Sequence, residues 1–184
     1  MFLKYVLYSA IFLLIAYIVF RVIIKKDYKK RLRLSPVSYL LEIFVFAIHA
    51  NLIYLTLPTR WPNFPQLPEN LAIKIVSTII FGIGAIGLLI SWFSLGTKPS
   101  LGQDKNTLRT DGLYKYSRNP QLLGYGLMLA SFTIMFFSYL VLIWFLLYII
   151  ASYFMVKSEE EFLKQKYKED YIEYCRQVPR IIKI

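Results

Sequence analysis

Five apolar stretches, separated by clusters of charge, limit what this chain can become. They run from about Phe2 to Ile24, Pro36 to Leu57, Leu71 to Leu95, Pro120 to Ser138 and Tyr139 to Val156. About 20 apolar residues in a helix cross the hydrocarbon core of a bilayer. With 57% of its 184 residues hydrophobic, the chain lacks the polar residues for a water-facing shell. The first stretch is too long for a signal-peptide core, and no small-residue cleavage site follows it, so it is expected to remain as a span. The last two stretches are nearly continuous. A tight turn near Phe137, Ser138 and Tyr139 makes them a helical hairpin, whereas one long helix would put the charged segment that follows on the wrong side. The expected fold is all-α: a polytopic membrane bundle of about five transmembrane helices with an amphipathic C-terminal helix. It forms a single domain over 1–184, with three spans in 1–95 and a cofactor-binding half in 96–184.

The formal net charge of +11 would raise nucleic acid as a partner for a soluble chain. Here the cations fall between the apolar stretches, where anionic lipid attracts them, so the expected partner is the bilayer and not nucleic acid. Lys25, Lys26, Lys29, Lys30, Arg31 and Arg33 follow the first stretch, and Lys98, Lys105, Arg109, Lys115 and Arg118 follow the third. Lysines are frequent after the fifth. The segment between the second and third carries Arg60, which with Trp61 suits an outer interfacial belt. Basic segments mark the cytoplasmic side. This alternation predicts an outer N-terminus and a cytoplasmic C-terminus.

Beyond the fifth stretch, Leu163, Tyr167, Tyr171, Tyr174 and Val178 recur at helical spacing, with charges on the opposite face. That pattern predicts one helix over about Ser158–Val178 lying on or under the membrane domain. The single cysteine, Cys175, permits no internal disulfide, and with the single histidine, His49, forms no metal-ligand set. Gly82, Gly84 and Gly87 spell the GxGxxG of dinucleotide-binding folds, but that fingerprint needs a strand and turn before a helix start. Amides inside a transmembrane helix are already bonded to its own carbonyls. These glycines are expected to permit close helix contact instead.

Two polar segments converge on the basic side: Thr110–Gly126, and Lys157–Arg180. The plain reading is structural. Asp111-Gly112 is a turn, Asn119 caps a helix starting at Pro120, Gly124 and Gly126 allow packing, and the tail carries a solvated face. Yet Arg118 stands at a helix mouth beside Tyr114 and Tyr116, and Glu159, Glu160 and Glu161 follow the end of the fifth stretch. Such a set suits a zwitterionic, cationic small molecule. Arginine takes a carboxylate in two-point fashion, glutamate takes an ammonium, and a tyrosine face takes a sulfonium.

At these residues the sequence resembles a known family. Arg118, Asn119, Pro120, Gly124 and the later Glu159-Glu160 are similar to the pattern R-H-P-x-Y-x-G, a hydrophobic stretch, then E-E. That pattern belongs to the isoprenylcysteine carboxyl methyltransferases and the related phospholipid N-methyltransferases. Gly112-Leu113-Tyr114 resembles the family's G-x-Y. Leu163, Tyr171, Tyr174, Val178, Pro179 and Arg180 resemble its L…Y-x-x-Y-x-x-x-V-P-R ending. The resemblance covers roughly Gly96 to Arg180. It departs at Asn119 for His, Leu122 for Tyr, Lys157 for Arg, and Tyr167-Lys168 for Phe-Gly, which argues against a prenylated protein as substrate.

The resemblance implies a methyltransferase using S-adenosylmethionine, entering from the cytoplasm. It implies cofactor contacts from Gly112, Leu113, Tyr114, Arg118, Asn119, Pro120, Gly124, Glu159 and Glu160, with Arg118 and Glu160 as the catalytic pair. Arg118 would hold the cofactor carboxylate, and Glu159 or Glu160 its amino group. The methyl acceptor is lipophilic or a small molecule, reaching the site from the lipid. Methyl transfer from a sulfonium needs alignment and a dry site more than a strong acid or base. Glu42 and His49 lie seven residues apart on one helical face, and ionisable groups at membrane depth mark function by default, so both are candidates for the acceptor pocket. An interfacial position for Glu42 and a plain interhelical hydrogen bond for His49 are equally open. The rival readings are a membrane reductase of the sterol-reductase type using a nicotinamide cofactor, and a non-catalytic scaffold.

Overall fold

The structure, a computed structural model, describes residues 2–55, 57, 65–95 and 108–182. Arg60, Trp61, Lys98 and Lys105 lie outside the described residues, as does Gly96. The architecture is a helical membrane bundle. Helix α1, Phe2–Tyr17, runs on through a π-helical stretch, Ile18–Ile24, into α2, Lys25–Arg31. After a short link come α3, Pro36–Leu52, α4, Leu71–Leu95, a 3-10 turn, Gly112–Lys115, α5, Pro120–Met135, and α6, Tyr139–Gln177. Among the described residues, four helical stretches are long and apolar enough to cross a membrane: Phe2–Arg31, Pro36–Leu55, Leu71–Ser94 and Tyr139–Gln177. Helix α5 is shorter, at 16 residues.

The outward surface is that of a protein solvated by lipid. Leu3, Leu14, Ile83, Ile86 and Phe93 all lie more than half exposed, an arrangement that a water-soluble surface of this size does not tolerate. The interior is a seam of aromatics and small residues. Phe12, Ala16 and Phe20 of the first helix meet Val45 of α3 and Trp144, Tyr148 and Ala151 of α6. The expected hairpin is present: α5 ends at Met135 and α6 starts at Tyr139, with the Ser138 hydroxyl accepting the Val141 N–H as its cap.

Helices α4 and α5 touch backbone to backbone. A Cβ on Gly84 would lie 2.6 Å from the Gly124 carbonyl oxygen, and a Cβ on Gly124 would lie 2.7 Å from the Leu88 nitrogen. The expectation of close helix contact therefore holds for Gly84. It does not hold for Gly82 and Gly87, which face open space.

The cations from Lys25 to Arg31 sit on α2, which carries the first helix beyond its apolar stretch. Leu32 adopts φ 52° and closes α2 with its N–H on the Tyr28 carbonyl. One expectation needs correction: the segment Ser158–Val178 is not one straight amphipathic helix. Its first part continues α6 without interruption, and the helix breaks at Lys168, where φ is 46° and ψ −118°. The chain then returns, so Tyr171, Tyr174 and Val178 pack with Leu163 and Leu108 in a second small core. The periodic residues do converge, but by folding back rather than by sharing one face. Lys168 stands where the resembled family carries glycine, the residue that tolerates positive φ without a Cβ clash.

Candidate functional site

The site lies where the end of the first helix, the start of α3, the start of α5 and the middle of α6 meet. Asp27 ties two of these ends together: its carboxylate accepts the Ser35 N–H and the Ser38 hydroxyl at the start of α3. The approach to α5 begins at Gly112, whose φ of +59° is a conformation side chains disfavour. The following 3-10 turn buries Tyr114. Burial pushes the Tyr114 phenol well above its ordinary range. Its backbone carbonyl accepts the Tyr174 hydroxyl at 2.7 Å, which docks the returning C-terminal segment on this turn.

That segment is laced to the mouth of α5. The Arg118 N–H donates to the Pro179 carbonyl at 3.0 Å, and the Asn119 side-chain amide donates to the Arg180 carbonyl at 2.9 Å. Asn119 occupies the cap position before Pro120, but its side chain makes no capping bond, so the expected cap is replaced by this long-range contact.

At the centre sits Glu160, buried. The Arg180 guanidinium donates to both its oxygens, at 2.9 and 2.6 Å, and Arg118 Nη1 lies 3.0 Å from Oε1. The hydrogen bond to Glu160 holds the Arg180 guanidinium in its charged form even more firmly than usual. Arg118 Nη1 also donates to the Cys175 sulfur at 2.7 Å and to the Tyr171 hydroxyl at 3.4 Å. Arg118 Nε and the Gln121 side-chain nitrogen, three residues apart on either side of the start of α5, are buried without hydrogen-bond partners among the described residues. Orphaned donors of this kind are costly unless a ligand satisfies them.

Glu159 points elsewhere. It is half-buried and interacts electrostatically with Glu42 of α3 and with Tyr28 and Tyr114. His49 lies two turns further along α3, fully enclosed and stacked on Trp144 at 4.9 Å between ring centres. Its Nε2 donates to the Trp144 carbonyl, and the Trp144 indole N–H donates to the His49 carbonyl at 2.7 Å.

Of the residues singled out in the sequence, Tyr114, Arg118, Glu159, Glu160 and Glu42 gather at this mouth. Leu113 is half-buried beside it and Pro120 is buried as the first residue of α5. Gly124 is a turn deeper, in the contact with α4. Sequence reasoning gave no role to Gln121, to Cys175 as a partner of Arg118, or to Arg21, and read Lys25 only as a mark of the cytoplasmic side. Arg21 donates to Ser158 and Glu161 at 2.9 and 2.8 Å, and Lys25 pairs with Glu161 at 2.7 Å. The available signal was Arg21 itself, a charge inside an apolar stretch. No group of three or more metal-ligating side chains occurs among the described residues.

No curated protein and no solved structure matches the chain. The family model for phospholipid methyltransferases matches residues 73–170, more than half of the chain, and its span takes in Tyr114, Arg118, Glu159 and Glu160. The chain belongs to the phospholipid methyltransferase family, and by that membership is a membrane methyltransferase.

Proposed function

We propose that the protein transfers a methyl group from S-adenosylmethionine to a lipophilic or small-molecule acceptor at the cytoplasmic face of the membrane. Methyltransferases of this family generally use that donor. The supporting observation is the contact of Arg118 with Glu160, from two distant segments, at one helix mouth, with Glu159 next to Glu160 on α6. The charges suit a zwitterion. Two guanidiniums share the one carboxylate of Glu160, which leaves positive charge and the orphaned donors of Arg118 and Gln121 for a carboxylate. Glu159, the neighbour of Glu160 on α6, offers a carboxylate with which an ammonium would pair.

When bound, S-adenosylmethionine supplies a methyl group on a positively charged sulfur. Arg118 would hold its carboxylate and Glu159 its amino group. The backbone turn at Gly112–Leu113–Tyr114, with Asn119 and Pro120, would frame the adenosine part. Glu160 orients Arg118 and sets the charge balance. Gly124 serves through the α4 contact that fixes where α5 begins. Glu42 would face the acceptor, and the enclosed His49 steadies α3 against α6 from below. The low-polarity surroundings exclude water and keep the methyl for the acceptor. The cytoplasmic assignment is supported by the basic residues of α2, which stand at the same end as the site.

Titration of the purified protein with S-adenosylmethionine and separately with NADPH tests the reading. Saturable binding of the first is expected. Binding of NADPH alone would favour the reductase, and binding of neither the scaffold.

A further inference from the structure

We infer that Arg21 and Lys25, in the N-terminal helix and outside the family match, are positioning residues for the proposed cofactor site. The inference rests on the reading of that site given above. Ser158 and Glu161 are one turn apart on α6 and so share a face. Both are gripped by the first helix. Arg21, with its side chain 12% exposed, donates Nη1 to the Ser158 hydroxyl and Nη2 to Glu161. Lys25 takes the other Glu161 oxygen. The Ser158 hydroxyl in turn donates to the Phe20 carbonyl at 2.7 Å, within the π-helical stretch that carries Arg21. One turn on, Phe162 stacks on Tyr28 at 4.2 Å between ring centres.

Residues 158 to 161 step around the helix by about 100° each. With 158 and 161 held against the first helix, 159 and 160 have fixed directions. Glu160 must face Arg118 and Arg180, and Glu159 must project about 100° around the axis from it. The clamp therefore sets the rotation of α6 about its own axis where Glu160, which holds Arg118, and Glu159, assigned to the ligand, project. A two-point guanidinium fork suits that task better than a single ammonium. π-Helical turns frequently occur at functional positions because they re-aim side chains out of the regular register.

The test is a double-mutant cycle on S-adenosylmethionine binding by the full-length protein in detergent. Arg21→Lys and Glu161→Gln each keep the fold and loosen the fork. Each is expected to raise the Kd about tenfold when measured well below its melting temperature. In a Glu160→Gln background the same changes are expected to add little, because they act through that turn. A general structural role would give additive effects, and that result overturns the inference, as would an unchanged Kd in both single variants. If the unaltered protein binds no S-adenosylmethionine, the reading of the site falls and the clamp falls with it. Tight binding by the unaltered protein with no change in the variants removes the clamp alone.

Discussion

Arg180 closes on both oxygens of Glu160, at 2.9 and 2.6 Å, although 20 residues separate them along the chain. A helix continuing from Glu160 would have carried residue 180 about 30 Å away. The reversal at Lys168 brings it back, and the pair fastens the returning segment over the mouth of α5.

Glu160 holds two guanidiniums, and its loss leaves both without their carboxylate. Glu160→Ala is expected to lower stability by about 3 kcal/mol, the scale for removing one partner of a buried ion pair. Arg180→Ala is expected to cost less, since its side chain is 47% exposed. Thermal unfolding in detergent, followed by circular dichroism, checks both.

Lys168 pays a conformational penalty that glycine avoids. Lys168→Gly is expected to stabilise the protein by about 1 kcal/mol, the lower end for relieving such strain. A melting temperature unchanged or lowered would show that the bend is held without strain.

The Gly84–Gly124 contact has no room for a methyl group. Gly124→Ala and Gly84→Ala are each expected to cost about 2 kcal/mol through overpacking. Gly82→Ala and Gly87→Ala meet nothing, and are expected to stabilise by up to about 1 kcal/mol through helix propensity. Comparing the four melting temperatures distinguishes contact from composition.

Arg118 and Glu159 are assigned opposite ends of one ligand. Arg118→Ala and Glu159→Gln are each expected to weaken S-adenosylmethionine binding at least tenfold, about 1.4 kcal/mol. Glu173→Gln, on the exposed side of the returning segment, is expected to leave it unchanged. Isothermal titration of the three variants gives the answer.

The membrane class, the spans and the turn at Ser138 were legible in the sequence because lipid demands long apolar runs and caps mark their ends. The meeting of Arg118 with Glu160 was legible because both follow from which end of the bundle each segment leaves. The break at Lys168 was not. The spacing from Leu163 to Val178 is helical on both sides of it, and lysine is no turn signal. Arg21 was overlooked for a related reason. Read along the chain it is one cation near a cationic run, and only the packing of α6 shows that it turns inward to Ser158 and Glu161.

Two helices pressed together at glycine behave as a single plank. No side chain lies between α4 and α5 at Gly84 and Gly124 to swing aside and open a passage there. On the proposed function, an acceptor arriving from the lipid would find that seam closed at the depth of Gly84 and Gly124.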